Sequence, residues 1–238
     1  MSATVQIESA RSVAAPAFRL ERIAGFAGLF FAIFVAFVNI FVGSMSPPQL
    51  DASGSEITSF VSDNKTALTV ATGMIPLGVI SLFLFIAGAF PRLSRPSSEA
   101  ALWARYGAIG VVLVEVMFLT RTLFEVVLLA NVDRLAQEPV LAELLWQLQG
   151  GAQIFTGLAL ALTLFGLSRA AWIGGLIPSW QQALGLGAAV AFVIGAVTSV
   201  MSLEGSPIGF IGLPAFVAWL TWLALTSIRL LRTDDVTA

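Results

Sequence analysis

The 238-residue chain contains no cysteine and no histidine. Disulfides, thiol chemistry, Cys or His zinc sites, Cys-ligated iron–sulfur clusters and haem held by His or Cys are thereby excluded, because the soft and imidazole ligands are missing. A Ser-His-Asp triad falls with them. Charge is scarce as well: Asp, Glu, Lys and Arg make up 11% of the chain, the net charge is -2, and Lys65 is the one lysine. That balance carries no nucleic-acid footprint and no acidic solvating character. The sequence also lacks a Gly-rich phosphate loop. No cofactor and no metal site is expected, and any chemistry has to run on carboxylates, Arg, Gln, hydroxyls or a bound partner.

What is present in excess is apolar. Hydrophobic residues reach 58% and the mean hydropathy is +0.92, where a soluble domain would average about 45–50% apolar and about 25% charged residues. Six runs, at 23–42, 66–90, 104–130, 143–168, 182–202 and 208–230, are each long enough to span the hydrocarbon and are separated by polar or Pro/Gly punctuation. The expected fold is therefore all-α: a polytopic membrane protein forming a bundle of six transmembrane helices. The first run exceeds a signal-peptide core and is expected to stay uncleaved. Residues 1–20 read as a disordered cytoplasmic tail, 21–232 as the six-helix transmembrane domain, and 233–238 as a second cytoplasmic tail. Between the first two spans, Ser53 and Glu56 have capping-box spacing and are followed by Ile57, Phe60 and Val61, which predicts a short amphipathic surface helix.

Orientation follows from the arginines. With both termini cytoplasmic, nine basic residues (Arg11, Arg19, Arg22, Arg92, Arg95, Arg105, Arg169, Arg229 and Arg232) fall inside, and Lys65 and Arg134 fall outside. Trp103, Tyr106, Trp172 and Trp180 then mark the inner interface and Trp146 the outer one. The expected location is the bacterial cytoplasmic (inner) membrane, with the lipid bilayer as the first partner and a membrane partner or a second copy as further ones. Small-residue stripes, Ala24, Gly28, Ala32 and Ala36 in the first span and Gly187, Ala191, Gly195 and Ser199 in the fifth, predict close helix packing. Pro76 is expected to open the second helix near Thr72, and Pro214 to do likewise in the sixth.

The third span is the anomaly. It carries Glu115, Arg121 and Glu125, each of which would cost about 2.5–3.5 kcal/mol at the bilayer centre. With Thr122 they fall within a sector of about 120° on an ideal helix, so one face can hide them all from lipid, and that face should point into the protein. Arg121 and Glu125 are spaced to pair, i to i+4. Together with Gln149 and Gln153 of the fourth span they predict a polar, ligand-binding cavity open to the extracytoplasmic side and floored near Glu115. Asn39, Thr69, Thr72, Gln147, Thr198 and Ser199 belong to the same outer half of the bundle. Trp219 and Trp222 read as packing aromatics rather than a ligand cage.

The strings RIAG at 22–25, LIPSWQQALGLGAAV at 176–190 and LPAFVAWLTWLAL at 213–225, with a long outer loop and a charged third span, resemble the bacterial six-helix membrane proteins of the domain of unknown function 4386 family. The resemblance implies a bacterial inner-membrane protein and brings no catalytic residues. Three function classes stay open. One is a protein binding or transporting a small amphiphilic or anionic ligand. The second is a structural or accessory subunit of a membrane complex. The third is a membrane-embedded, carboxylate-dependent isomerase or cyclase using Glu115 or Glu125 as general acid.

Overall fold

The computed structural model describes residues 17–232; the expected tails over 1–20 and 233–238 lie outside the described residues except for 17–20, which are helical and open the first helix rather than forming a disordered tail. Within the described residues the chain is all-α, with nine α-helices: α1 (Ala17–Gly43), α2 (Gly54–Asp63), α3 (Lys65–Ser94), α4 (Ser98–Ala130), α5 (Val132–Leu135), α6 (Pro139–Ile173), α7 (Ser179–Val197), α8 (Ser199–Leu203) and α9 (Gly212–Arg232). A single 3-10 turn, Pro207–Ile211, leads into α9. Five of these helices, α1, α3, α6, α7 and α9, are long and apolar enough to cross a membrane. At 33 residues α4 is also long, but it carries Glu99, Arg105, Glu115, Arg121 and Glu125 and is not among the five.

Local chemistry explains where the helices begin and end. The Ser53 side chain caps α2 by accepting from the Glu56 backbone N–H, and the Ser97 side chain caps α4 by accepting from that of Ala100. The short surface helix is thus formed as its sequence predicts, with Ile57 and Val61 buried beneath it. Pro139 opens α6 at a position whose N–H has no helical acceptor to lose. Gly175, at φ +66°, turns the chain after α6 in a conformation few other residues adopt. The fifth apolar run does not stay one helix, since Thr198 ends α7 and α8 restarts at Ser199. The chain stays helical through Pro76 from Lys65 to Ser94, although the Pro76 ring nitrogen has no proton to donate to the Thr72 carbonyl. The expectation for Pro214 needs correction, because it sits in the first turn of α9, where its missing donor breaks nothing.

The long helices form a closed ring. Each packs on the next in the order α1, α3, α4, α6, α7, α9, and α9 returns to α1. Chain direction alternates around the ring, so the ends divide into two faces. One holds α2, α5 and α8, where Ile57, Val61, Leu68, Leu128, Val132, Leu135 and Ala142 make a separate small core. At the other, Arg92 donates to the Gly174 carbonyl at 3.3 Å, and Gln181 joins α7 to α9. The main core lies in this second half, around Phe85, Leu164, Leu167, Trp222 and Leu223.

The tightest seam runs between α4 and α6. A Cβ on Gly166 would lie against the Gly107 backbone and the Trp103 carbonyl, and a Cβ on Gly110 would meet the Thr163 backbone N at 2.5 Å. In α1 the predicted stripe does pack, because Ala24 and Ala32 are buried and a Cβ on Gly28 would strike Ser227 and Phe85. In α7 it does so only in part. Gly187 faces outward with no atom near its missing side chain, whereas Ala191 packs on the main core and Gly195 lines the interior, and Gln181, Gly185, Ala188, Ala189 and Phe192 form the buried face. The outward surface of the ring is a belt of bare apolar side chains, among them Phe26 at 66% exposure, Ile40 at 73% and Val197 at 80%. A water-soluble monomer does not present such a belt continuously.

Candidate functional site

The ring encloses a cavity of about 660 Å³, within the range of about 300–1,000 Å³ typical of small-molecule sites. All six ring helices contribute to its wall. Most of that wall is apolar, including Phe31, Phe34, Val38, Phe118, Leu160 and Trp219. The expected polar cavity is therefore an amphipathic one, in which Asn39, Thr72, Glu115, Arg121, Glu125 and Gln153 stand among mainly aromatic and aliphatic side chains.

Glu115, Arg121, Glu125 and Gln153 line this cavity. Gln149 lines an adjoining smaller pocket of about 220 Å³, which Arg121, Glu125 and Gln153 also border. The polar face of α4 does turn inward, leaving Leu102, Ile109, Val116, Leu119 and Leu123 exposed on the opposite face. Toward the α2 end, Arg121 pairs with Glu125 at 3.2 Å. The Glu125 carboxylate also accepts from the Thr72 hydroxyl at 2.9 Å and from the Gln149 amide at 3.4 Å. Four side chains from α3, α4 and α6 thus meet around a partly buried charge pair whose Glu125 carboxylate is well supplied with donors, while the Gln149 Oε1 is left without a partner. The Arg121 guanidinium lies 5.7 Å from the Phe118 ring centroid as well.

Glu115 is different. Six residues earlier on α4, it lies about 9 Å deeper along the helix axis. Only 3% of it is exposed, and its Oε2 has no hydrogen-bond partner. The same cavity wall includes Phe31, Val114, Phe118 and Trp219. Phe31 and Trp219 meet edge to face at 5.7 Å, and Phe216 adjoins Trp219 at 5.6 Å.

Compared with protein-family models, with curated proteins and with solved structures, the chain matches none. The site therefore has to be judged on its own geometry.

Of the other polar residues expected here, Asn39 and Thr72 line the cavity, while Thr69 and Gln147 are exposed elsewhere and Thr198 bonds back to the Ile194 carbonyl. The cavity reaches the α2 end between two loops, through Gln49 and Leu50 on one side and Gly205 and Ser206 on the other. These loops touch, since a Cβ on Gly205 would meet the Asp51 carboxylate at 2.5 Å. The first loop is tied down on α6 by the Trp146 indole donating to the Gln49 carbonyl at 3.0 Å, and α2 by the Gly54 N–H donating to Glu143 at 2.8 Å.

Sequence reasoning missed two features. Trp219 and its neighbouring aromatics form a cavity wall, which helical spacing alone cannot separate from core. A second polar cluster lies at the far end of the ring. There Gln181, fully buried, donates to the Thr226 hydroxyl at 2.9 Å and accepts from Arg229 at 3.0 Å. The signal for it was a glutamine pair opening an otherwise apolar span.

Proposed function

We propose that this is an integral membrane protein of six spans, α1, α3, α4, α6, α7 and α9, which binds a small amphiphilic molecule in the chamber enclosed by its ring. One observation carries the reading: a roomy, mostly apolar chamber within the bundle has buried, ionisable α4 side chains built into its wall. Support for α4 as the sixth span comes from its bare apolar outer face and from its place in the ring between α3 and α6. An anionic ligand would have to draw Arg121 away from Glu125. Kinship with the domain of unknown function 4386 proteins, and a bacterial inner membrane as the location, rest on the sequence strings alone.

Charge at the two ends favours cytoplasmic termini. Among the described residues, the end with the termini holds seven arginines (22, 92, 95, 105, 169, 229 and 232) against Glu21 and Glu99, and the α2 end holds Lys65 and Arg134 against seven acids. At the arginine end, Arg169 stacks between Trp103 and Trp172, as an interfacial belt would. The chamber then opens to the extracytoplasmic side. Because the chain has no cysteine, single cysteines at the exposed Ser55 and Ser98 report cleanly. A membrane-impermeant maleimide applied to intact cells is expected to label Ser55→Cys and to reach Ser98→Cys only after lysis. Labelling of both from the same side would refute six spans.

Binding is tested by blocking the chamber. Ile154 lines it, so Ile154→Trp takes up space in the chamber without removing a charged group. Amphiphiles that protect the wild type from thermal unfolding are expected to lose at least about tenfold in apparent affinity, or about 1.4 kcal/mol. Equal protection of the variant would move binding to the outer surface of the ring and sink the chamber reading.

A further inference from the structure

Resting on that reading, we infer that the chamber, whose wall is partly aromatic, selects amphiphiles with a cationic amine head held by Glu115. Three independent observations meet in this assignment. The first is the carboxyl itself: a group that is 3% exposed lines the chamber, and its buried Oε2 has no hydrogen-bond partner inside the protein. A protonated amine at the chamber wall brings donors to this carboxyl group, whereas a carboxylate or phosphate head would bring only acceptors.

The second is the aromatic content of the wall. Phe31, Phe118 and Trp219 line the same chamber as Glu115, and aromatic faces attract alkylammonium groups while offering nothing to an anion. The one cation in the chamber wall, Arg121, is already taken up by Glu125 at 3.2 Å and by the Phe118 ring. Counting Glu115 and Glu125 against Arg121, the wall has an excess of carboxyl groups rather than a free positive charge.

The third is the entrance. Asp51 directly follows the lining residue Leu50, Glu204 directly precedes Gly205, and both acids are exposed. They belong to the end where seven acids face Lys65 and Arg134. A mouth of this sign raises the local concentration of cations and lowers that of anions. The remaining wall suits the alkyl or aryl body of the same molecule.

The test uses three probes of equal chain length, octylamine, octanoate and octanol, with full-length protein in zwitterionic phosphatidylcholine nanodiscs and thermal unfolding as readout. Octylamine is expected to protect at a concentration about tenfold lower than octanol does, as a charge-assisted hydrogen bond would give, and octanoate to protect least. In Glu115→Gln the advantage of octylamine over octanol is expected to vanish while protection by octanol persists. The amine assignment is overturned if octanoate protects as well as octylamine, or if the advantage survives Glu115→Gln. Should that variant fail to accumulate, the order of the three probes on the wild type decides alone. If none of the three protects, or if Ile154→Trp leaves all three unchanged, the chamber reading itself falls, and that outcome is distinct from a failure of the amine preference.

Discussion

Gly166→Leu is expected to stop the protein from accumulating as a folded bundle, and even Gly166→Ala should lower its thermal midpoint measurably in detergent or nanodiscs. A Cβ at this position has nowhere to go. Its neighbours would be the Gly107 backbone and the Trp103 carbonyl, which are main-chain atoms of α4 and cannot swing aside like a side-chain end. Nor can α4 retreat at one point, because Gly107 and Gly110 hold it against Leu167 and Thr163 along the same seam. Overpacking in a core costs about 1–3 kcal/mol where side chains can adjust. Here two helix backbones must separate, so about 3 kcal/mol is the expected loss for alanine and more for leucine. In lipid, close packing of this kind is what holds helices together, since apolar burial gives them no preference for each other over acyl chains. Gly187→Ala is the internal control: nothing lies near its missing side chain, and the change should leave the midpoint unmoved or slightly raised, alanine being the better helix former. Comparable damage at both glycines would show that the α4–α6 seam is not special.

Arg121→Ala is expected to destabilise the bundle by about 2–4 kcal/mol, somewhat below the full penalty for breaking a buried pair because 22% of the arginine side chain is exposed. The cost comes from what is left behind. Glu125 stays among Leu128, Leu129, Thr72 and Gln149 with its counter-charge gone, and the Thr72 hydroxyl and Gln149 amide are neutral donors. Glu125→Gln removes the stranded charge and keeps a side chain of the same shape, so the double variant Arg121→Ala/Glu125→Gln should recover more than half of the loss. Glu115→Gln should be nearly neutral for stability in the same assay, because that side chain has no ionic partner to lose. Unfolding midpoints of the wild type, Arg121→Ala, Glu125→Gln, the double variant and Glu115→Gln make up the measurement. A double variant that is as unstable as the sum of its parts would show that the pair does not act as a unit. Equal damage from Glu115→Gln and Arg121→Ala would mean that the two carboxyl groups have been given the wrong roles.

The site was legible in part, and the division has a physical origin. Glu115, Arg121 and Glu125 stand out because a charge inside an apolar run is costly, and their spacing places them on one helix face whatever the neighbours are. Gln149 and Gln153 were found by depth along the helix, but depth carries no information about facing, so Thr69 and Gln147 were drawn in with them although both are exposed. Phe31, Phe118 and Trp219 could not be picked out at all. An aromatic that lines a void and one that fills a core have the same spacing and the same hydropathy. The small-residue stripes erred for a related reason. A search for repeats of four found α1 correctly and in α7 joined the outward Gly187 to Ala191 and Gly195, which turn inward, while the seam between α4 and α6 uses Gly107, Gly110 and Gly166, two of them three residues apart.

By itself the sequence determined that the chain is helical and crosses a membrane, because hydropathy, helix length and backbone hydrogen-bond satisfaction are properties of each segment alone. It also determined that chemistry by thiol, imidazole or their metal complexes is closed to this protein, and that the charged face of α4 turns inward. Only the tertiary structure decided that the six long helices close into a ring rather than a solid bundle, since closure depends on α9 returning to α1 across nearly the whole length of the chain. The chamber, its mainly apolar wall and the carboxyl of Glu115 left without a partner inside it follow from that closure. Each is a relation between side chains on different helices, set by which backbones can approach closely, and no single helix carries that information.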